Sequence, residues 1–111
     1  MPSPSPLAIA SGSVQRLLKE EASYHKELAD QEAQVKALEE QLKAGQGDED
    51  GNAEFMQTAV EQTKAVFGPL KTRIAAAVAK LEDQVAASEG SGAHAGDLEQ
   101  ATAVLAQAKA A

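Results

Sequence analysis

The chain has 111 residues, no cysteine and a formal net charge of −7, and these properties limit both its fold and its partners. A chain of this length forms at most one domain around one modest hydrophobic core. The absence of cysteine excludes a disulfide framework, a zinc–thiolate site and a cysteine nucleophile. Because the net charge repels phosphate backbones and anionic leaflets, we expect neither nucleic acid nor a membrane as a partner.

The apolar content is 43%, but only 3% of the residues are aromatic and 24 positions are alanine. Large apolar side chains are therefore scarce, which predicts a thin, elongated core. The sequence contains no apolar run of about 18 residues, the length that a membrane-spanning helix needs.

Glycine and proline divide the chain into a leader, three segments and two connectors. We expect residues 1–12, which begin MPSPSPLAIA, to be a disordered leader and not a signal peptide, because they lack a basic start and a sustained apolar stretch. The predicted bundle occupies residues 13–111. Its helices are expected at about 13–44, 53–88 and 97–109.

In the first segment, apolar residues recur at spacings of three and four along one helix face. Only Glu21 and Gln31 interrupt this seam. Its apolar members are Val14, Leu17, Tyr24, Leu28, Val35, Leu38 and Leu42.

The second segment follows one seven-residue register across Gly68-Pro69. Because proline removes a backbone hydrogen bond and clashes with the preceding turn, we predict one helix kinked at Pro69, with two separate helices as the alternative. The register contains Met56, Val60, Thr63, Phe67, Leu70, Ile74, Ala77 and Leu81. A wider stripe toward a second neighbouring helix is formed by Phe55, Val66, Val78 and Val85.

The third segment carries a short stripe of Leu98, Ala101, Leu105 and Ala108. No alternating segment rich in β-branched residues occurs, so strands are not expected. Short connectors between helices favour antiparallel neighbours. The sequence therefore predicts an all-α, elongated, up-down-up antiparallel three-helix bundle with two long helices and one short C-terminal helix.

No residue pattern indicates catalysis, a metal site or a cofactor. Neither His25 nor His94 follows the Glu-x-x-His spacing of bundle metal sites. We interpret His25 as a solvated surface histidine and His94, which lies in the Gly/Ser connector, as a residue without a functional role. The connector at 45–52 begins like a calcium loop but has Ala53 and Ala59 where Gly and a bidentate Glu are needed. We interpret it as a solvated acidic turn, and the chain as a protein that is not an enzyme.

A more specific pattern lies in residues 7 to 27. It reads Leu7-Ala8-Ile9-Ala10-Ser11-Gly12, then Val14-x-Arg16-Leu17-Leu18-Lys19-Glu20, and then Tyr24-x-Lys26-Glu27. This stretch resembles the amino-terminal helix motif of the tubulin-binding cofactor A family. Further similarity lies in Gln31-Glu32, the acidic loop from Asp48 to Asn52, and a second helix with a central proline followed by Arg73.

The resemblance implies a non-enzymatic chaperone that is a three-helix bundle. It implies that the chain binds β-tubulin folding intermediates and holds them for assembly of the αβ heterodimer, with other tubulin folding cofactors acting indirectly. It also implies a cytoplasmic, cytoskeleton-associated protein of eukaryotic cells that uses no cofactor and exists as a monomer or homodimer.

Transferred residue by residue, the resemblance implies five partner-binding residues: Arg16, Lys19, Glu20, Lys26 and Glu27. The sequence departs from the family in its alanine-rich second half and in the Gly/Ser connector at 88–96, which replaces a charged stretch. The alternative function is a structural coiled-coil adaptor that dimerises through the stripe of Met56, Phe67, Ile74 and Leu81.

Overall fold

The computed structural model describes residues 5–45, 47, 52–89 and 95–111. These residues form three helices, α1 (Pro6–Lys43), α2 (Asn52–Glu89) and α3 (Ala95–Ala110). No strand occurs among the residues described, so the predicted all-α class is confirmed and is consistent with a helical bundle. The up-down-up order and the kink at Pro69 stay predictions.

Helix α1 begins at Pro6, so the predicted disordered leader is wrong from residue 6 to residue 12. The sequence places a good N-cap directly before the helix. Ser5 Oγ accepts a hydrogen bond from the Ala8 N–H at 3.0 Å, and proline suits the first helical position because it has no N–H to satisfy there. Leu7 is then only 2% exposed, which explains why the helix extends this far. Residues 1–4 of the leader lie outside the described residues.

The other helix boundaries lie within two residues of their predicted positions. Helix α2 is continuous through Pro69, so one long helix is correct and two separate helices are not. At the end of α1, Gly45 has a φ of +87° and donates its N–H to the Leu42 carbonyl at 3.1 Å. This is a left-handed helix cap, a conformation that glycine adopts without steric cost.

Most of the predicted acidic turn at 45–52 lies outside the described residues, as does His94.

The chain divides into two compact units. Unit 1 comprises Met1–Glu20 and Leu70–Ala111, and unit 2 comprises Glu21–Pro69. The core of unit 1 takes side chains from all three helices. Its buried members are Leu7, Ala10, Val14, Leu81, Ala101 and Val104.

Unit 2 buries its side chains less completely. Val60 and Thr63 are buried, while the seam residues Leu28 and Val35 of α1 are only half-buried. The side-chain oxygen Oε1 of Gln31 is buried and has no hydrogen-bond partner among the residues that the structure describes. A buried acceptor without a partner costs about 1–3 kcal/mol, so the interruption of the apolar seam at Gln31 lowers the stability of unit 2.

An aromatic cluster joins the two helical segments of unit 2. The rings of Tyr24 and Phe67 meet edge to face with centroids 6.4 Å apart, a preferred aromatic geometry. His25 stacks on Phe67 at 4.5 Å with an interplanar angle of 28°. His25 is exposed, as a surface histidine should be, and it also contributes to this cluster.

We predict that Leu81→Ala lowers the free energy of unfolding by about 2–5 kcal/mol, because it leaves a cavity in the core of unit 1. Leu81 is 0% exposed, whereas Leu42, the matched control for the same change, is 41% exposed. Leu42→Ala should change stability by less than about 0.5 kcal/mol. Urea denaturation followed by far-UV circular dichroism measures both variants, and equal losses would contradict the described core.

A second prediction concerns two glycines: Gly45, whose backbone φ is positive, and Gly12, which lies inside the regular helix α1. Gly45→Ala should destabilise the chain by about 1 kcal/mol or more, since alanine is strained at positive φ. Gly12→Ala should stabilise it by about 0.5–1 kcal/mol, because Gly12 lies inside α1 and an added Cβ meets nothing within 4 Å. Melting temperatures of the two variants, compared with that of the wild type, should shift in opposite directions.

Candidate functional site

All five predicted partner-binding residues lie on α1. Arg16, Lys19 and Glu20 belong to unit 1, and Lys26 and Glu27 belong to unit 2. Four of them are exposed and Glu20 is half-buried. Their side chains are therefore available to a partner in the way that the family motif implies, although this accessibility alone assigns them no role.

Glu20 already has an intramolecular partner. Its Oε1 lies 3.6 Å from Nη1 of Arg73, and the two side chains are 38% and 60% exposed, respectively. An ion pair this exposed contributes about 0.2–1 kcal/mol at most. The guanidinium and the carboxylate therefore remain available to exchange partners at little cost.

Lys26 and Glu27 lie together on the wall of an open groove in unit 2, which we call the Phe55 groove. The groove has a volume of about 490 Å³. Its lining residues are Ser23, Lys26, Glu27, Asp30, Gln31 and Gln34 of α1 and Phe55, Met56 and Ala59 of α2.

The apolar side chains of this groove are those of Phe55, Met56 and Ala59, and the side chain of Phe55 is 71% exposed. The sequence pattern predicts Phe55 as part of a stripe that packs against a second helix, and this prediction is wrong because the ring is not covered. The other stripe members, Val66, Val78 and Val85, are half-buried. The sequence gives no signal of this exposure: Val66 has the same position relative to register residue Phe67 and is half-buried.

The Phe55 groove combines an exposed aromatic ring with charges of both signs. An exposed aromatic anchor with a polar rim is typical of protein interaction surfaces. Among the described residues, no cluster of three or more potential metal ligands occurs.

A second groove lies in unit 1 and has a volume of about 540 Å³. Ile9, which is 57% exposed, lies on its edge beside Ala76 and Ala77 of α2. None of the five predicted partner-binding residues lines it.

No helix in the described part of the chain is long and apolar enough to cross a bilayer.

Comparison with known proteins relates this architecture to one family. The chain matches the model of the family described as tubulin binding cofactor A over residues 2–105. It is also similar to the crystal structure of tubulin folding cofactor A from Arabidopsis thaliana, with a TM-score of 0.82 and 19% identity over 95% of this chain and 94% of that one. At this identity the second comparison shows a shared fold.

No curated protein sequence matches the chain significantly. The family model, however, spans nearly its whole length, including the N-terminal half of α1 that carries the motif. The chain belongs to the tubulin binding cofactor A family.

Proposed function

We propose that this protein is a non-enzymatic chaperone that binds β-tubulin folding intermediates and holds them for assembly of the αβ heterodimer. Membership of the tubulin binding cofactor A family supports a role in tubulin folding. The name of the similar Arabidopsis protein, a tubulin folding cofactor, agrees with this role. We place the protein in the eukaryotic cytoplasm, with other tubulin folding cofactors acting indirectly, and as a monomer or homodimer.

The observation that carries the proposal is the exposed ring of Phe55 beside Lys26 and Glu27. Those two charged residues belong to the family motif, whereas the exposure of Phe55 is visible only in the structure. An aromatic side chain that leaves water in a complex contributes far more than a rim charge. We therefore assign Phe55 as the apolar anchor and Lys26 and Glu27 as the groups that orient the client.

The proposed mechanism needs no chemical step. A chaperone that binds one form of its client stabilises that form by mass action, by about 2.7 kcal/mol when the free chaperone is a hundredfold above its dissociation constant. A client with exposed apolar surface, such as an unpaired tubulin subunit, is thereby kept from aggregation until its own partner competes for it.

The coiled-coil adaptor is disfavoured because its dimerisation stripe is occupied within the chain. Leu81 is fully buried in unit 1, and Phe67 packs against Tyr24 and His25 in unit 2. Dimerisation through the full stripe would require exposing Leu81 from the core of unit 1 and separating Phe67 from Tyr24 and His25 in unit 2.

The test of the proposed function is gel filtration with light scattering of the protein mixed with dissociable tubulin, followed by detection of the α and β subunits in each fraction. The expected result is a one-to-one complex with β-tubulin that contains no α-tubulin. If tubulin eluted unchanged and the protein eluted as a dimer, the chaperone proposal would be overturned and the adaptor favoured.

We predict that the double reversal Lys19→Glu with Lys26→Glu weakens the β-tubulin complex about tenfold or more, because rim charges orient partners and like charges repel. Both lysines are exposed, so the melting temperature should stay nearly constant. Lys36→Glu with Lys71→Glu is the matched control: these lysines are also exposed, one lies in each unit as in the test variant, and neither belongs to the family motif. Equal weakening by both double variants would show a net-charge effect and contradict a specific role of the two motif lysines.

Phe55→Ala should weaken the same complex by about 2 kcal/mol or more, the loss typical of an aromatic anchor. The ring is largely exposed in the free chain, so the substitution should change its stability little. Ile9→Ala is the control because it removes a similarly exposed apolar side chain in the other unit. Titration with purified β-tubulin would show the predicted difference, and normal binding by Phe55→Ala would exclude the groove as the client site.

A further inference from the structure

The side chain of Ser5, directly before α1, is hydrogen-bonded to the first turn of α3 in unit 1. The Ser5 hydroxyl donates a hydrogen bond to Oδ2 of Asp97 at 2.8 Å, although the two residues are 92 positions apart. The same oxygen accepts the hydrogen bond from the Ala8 N–H that caps α1. The Ser5 hydroxyl therefore caps α1 and is also hydrogen-bonded to α3.

The sequence around this hydroxyl fits a class of modifying enzyme. Ser5 is followed directly by Pro6, and the only other Ser-Pro pair of the chain is Ser3-Pro4. Proline-directed protein kinases phosphorylate serine in this dipeptide. We propose that Ser5 is a phosphorylation site for a proline-directed kinase, and that its phosphate releases α3 from unit 1.

The modification transfers the γ-phosphoryl group of ATP. A bond forms between the Ser5 oxygen and the γ-phosphorus, and the bond from that phosphorus to the β–γ bridging oxygen breaks. ADP leaves with the electron pair, and the hydroxyl proton passes to the kinase base. The resulting ester oxygen carries no hydrogen, so it no longer donates to Asp97.

The phosphate also replaces the attractive hydrogen bond between Ser5 and Asp97 with repulsion between two negative groups. It brings a charge of about −1.5 to −2 next to the Asp97 carboxylate, an arrangement that disrupts by repulsion. The N-terminus of α1 carries roughly half a positive charge, and its Ala8 N–H remains able to donate to a phosphate oxygen. Phosphorylation therefore preserves the cap of α1 and removes the contact with α3.

Release of α3 has a large effect on unit 1 because this helix supplies part of its core. Ala101 and Val104 are 0% and 1% exposed, and they share a cluster with Leu7 and Val14. An opened α3 uncovers these apolar side chains. The phosphate would thus control how much apolar surface unit 1 presents, independently of the client proposed above.

Access to Ser5 requires only a local opening. The residue is half-buried and immediately precedes α1. Terminal turns of helices open at a small fraction of the cost of global unfolding. A kinase can therefore engage Ser5-Pro6 in an extended conformation, which the residue preceding proline favours.

The experiment phosphorylates the full chain in the Ser3→Ala background with a purified proline-directed kinase and ATP. Mass spectrometry then maps the phosphate, and hydrogen–deuterium exchange measures the protection of α3. We expect one phosphate on Ser5 and exchange over Ala95–Ala110 that is about tenfold faster than in the unphosphorylated protein. Failure to phosphorylate Ser5, or phosphorylation without faster exchange, would overturn the proposal.

Asp97→Asn is the matched variant. The asparagine side chain can accept the Ser5 hydrogen bond in the unmodified chain, and its amide can donate to a phosphate. We expect phosphorylation of Ser5 to leave α3 exchange nearly unchanged in this variant. If phosphorylation accelerated the hydrogen–deuterium exchange of α3 equally in the Asp97→Asn variant and in the chain that retains Asp97, the repulsion mechanism would be disproved. Faster exchange of α3 in a Ser5→Ala chain phosphorylated on Ser3 would disprove it as well.

Discussion

The burial of Val14 and Leu81 in one core is the contact on which unit 1 depends. Both side chains are 0% exposed, and one comes from α1 and the other from α2. In a chain with 24 alanines, few side chains can contribute such burial, so stability concentrates in a small number of residues. The start of α1 follows from the same constraint: beginning the helix at Ser13 would leave Leu7 and Ala10 outside the core that they help to form.

Much of the fold can be predicted from the sequence, because the seven-residue register of each long helix is nearly unbroken. The register residues Val60, Leu70 and Leu81 are buried, and the continuity of α2 through Pro69 follows from the register on both sides of that residue. The start of α1 was missed for a local reason. Proline and serine are typical of flexible segments, and the same two residues are also the preferred first helical residue and N-cap.

The candidate site can likewise be predicted from the sequence only in part. The charged residues of the motif can be identified from the sequence, because family patterns preserve residue types at fixed spacing. The exposure of Phe55 cannot be identified in this way, since a wide apolar stripe does not reveal whether a neighbouring helix covers it. Burial is a property of the folded chain, and only the structure shows that Phe55 stays exposed in the groove that Lys26 and Glu27 line.

The aromatic cluster of unit 2 gives the protein an intrinsic optical label. The chain has one tyrosine and no tryptophan, and that tyrosine, Tyr24, is half-buried against Phe67. Its ultraviolet emission therefore originates entirely in unit 2, whereas the helical circular dichroism signal arises from both units. Recording the two signals on one unlabelled sample compares the opening of unit 2 with the loss of helix in the whole chain, without an introduced fluorophore.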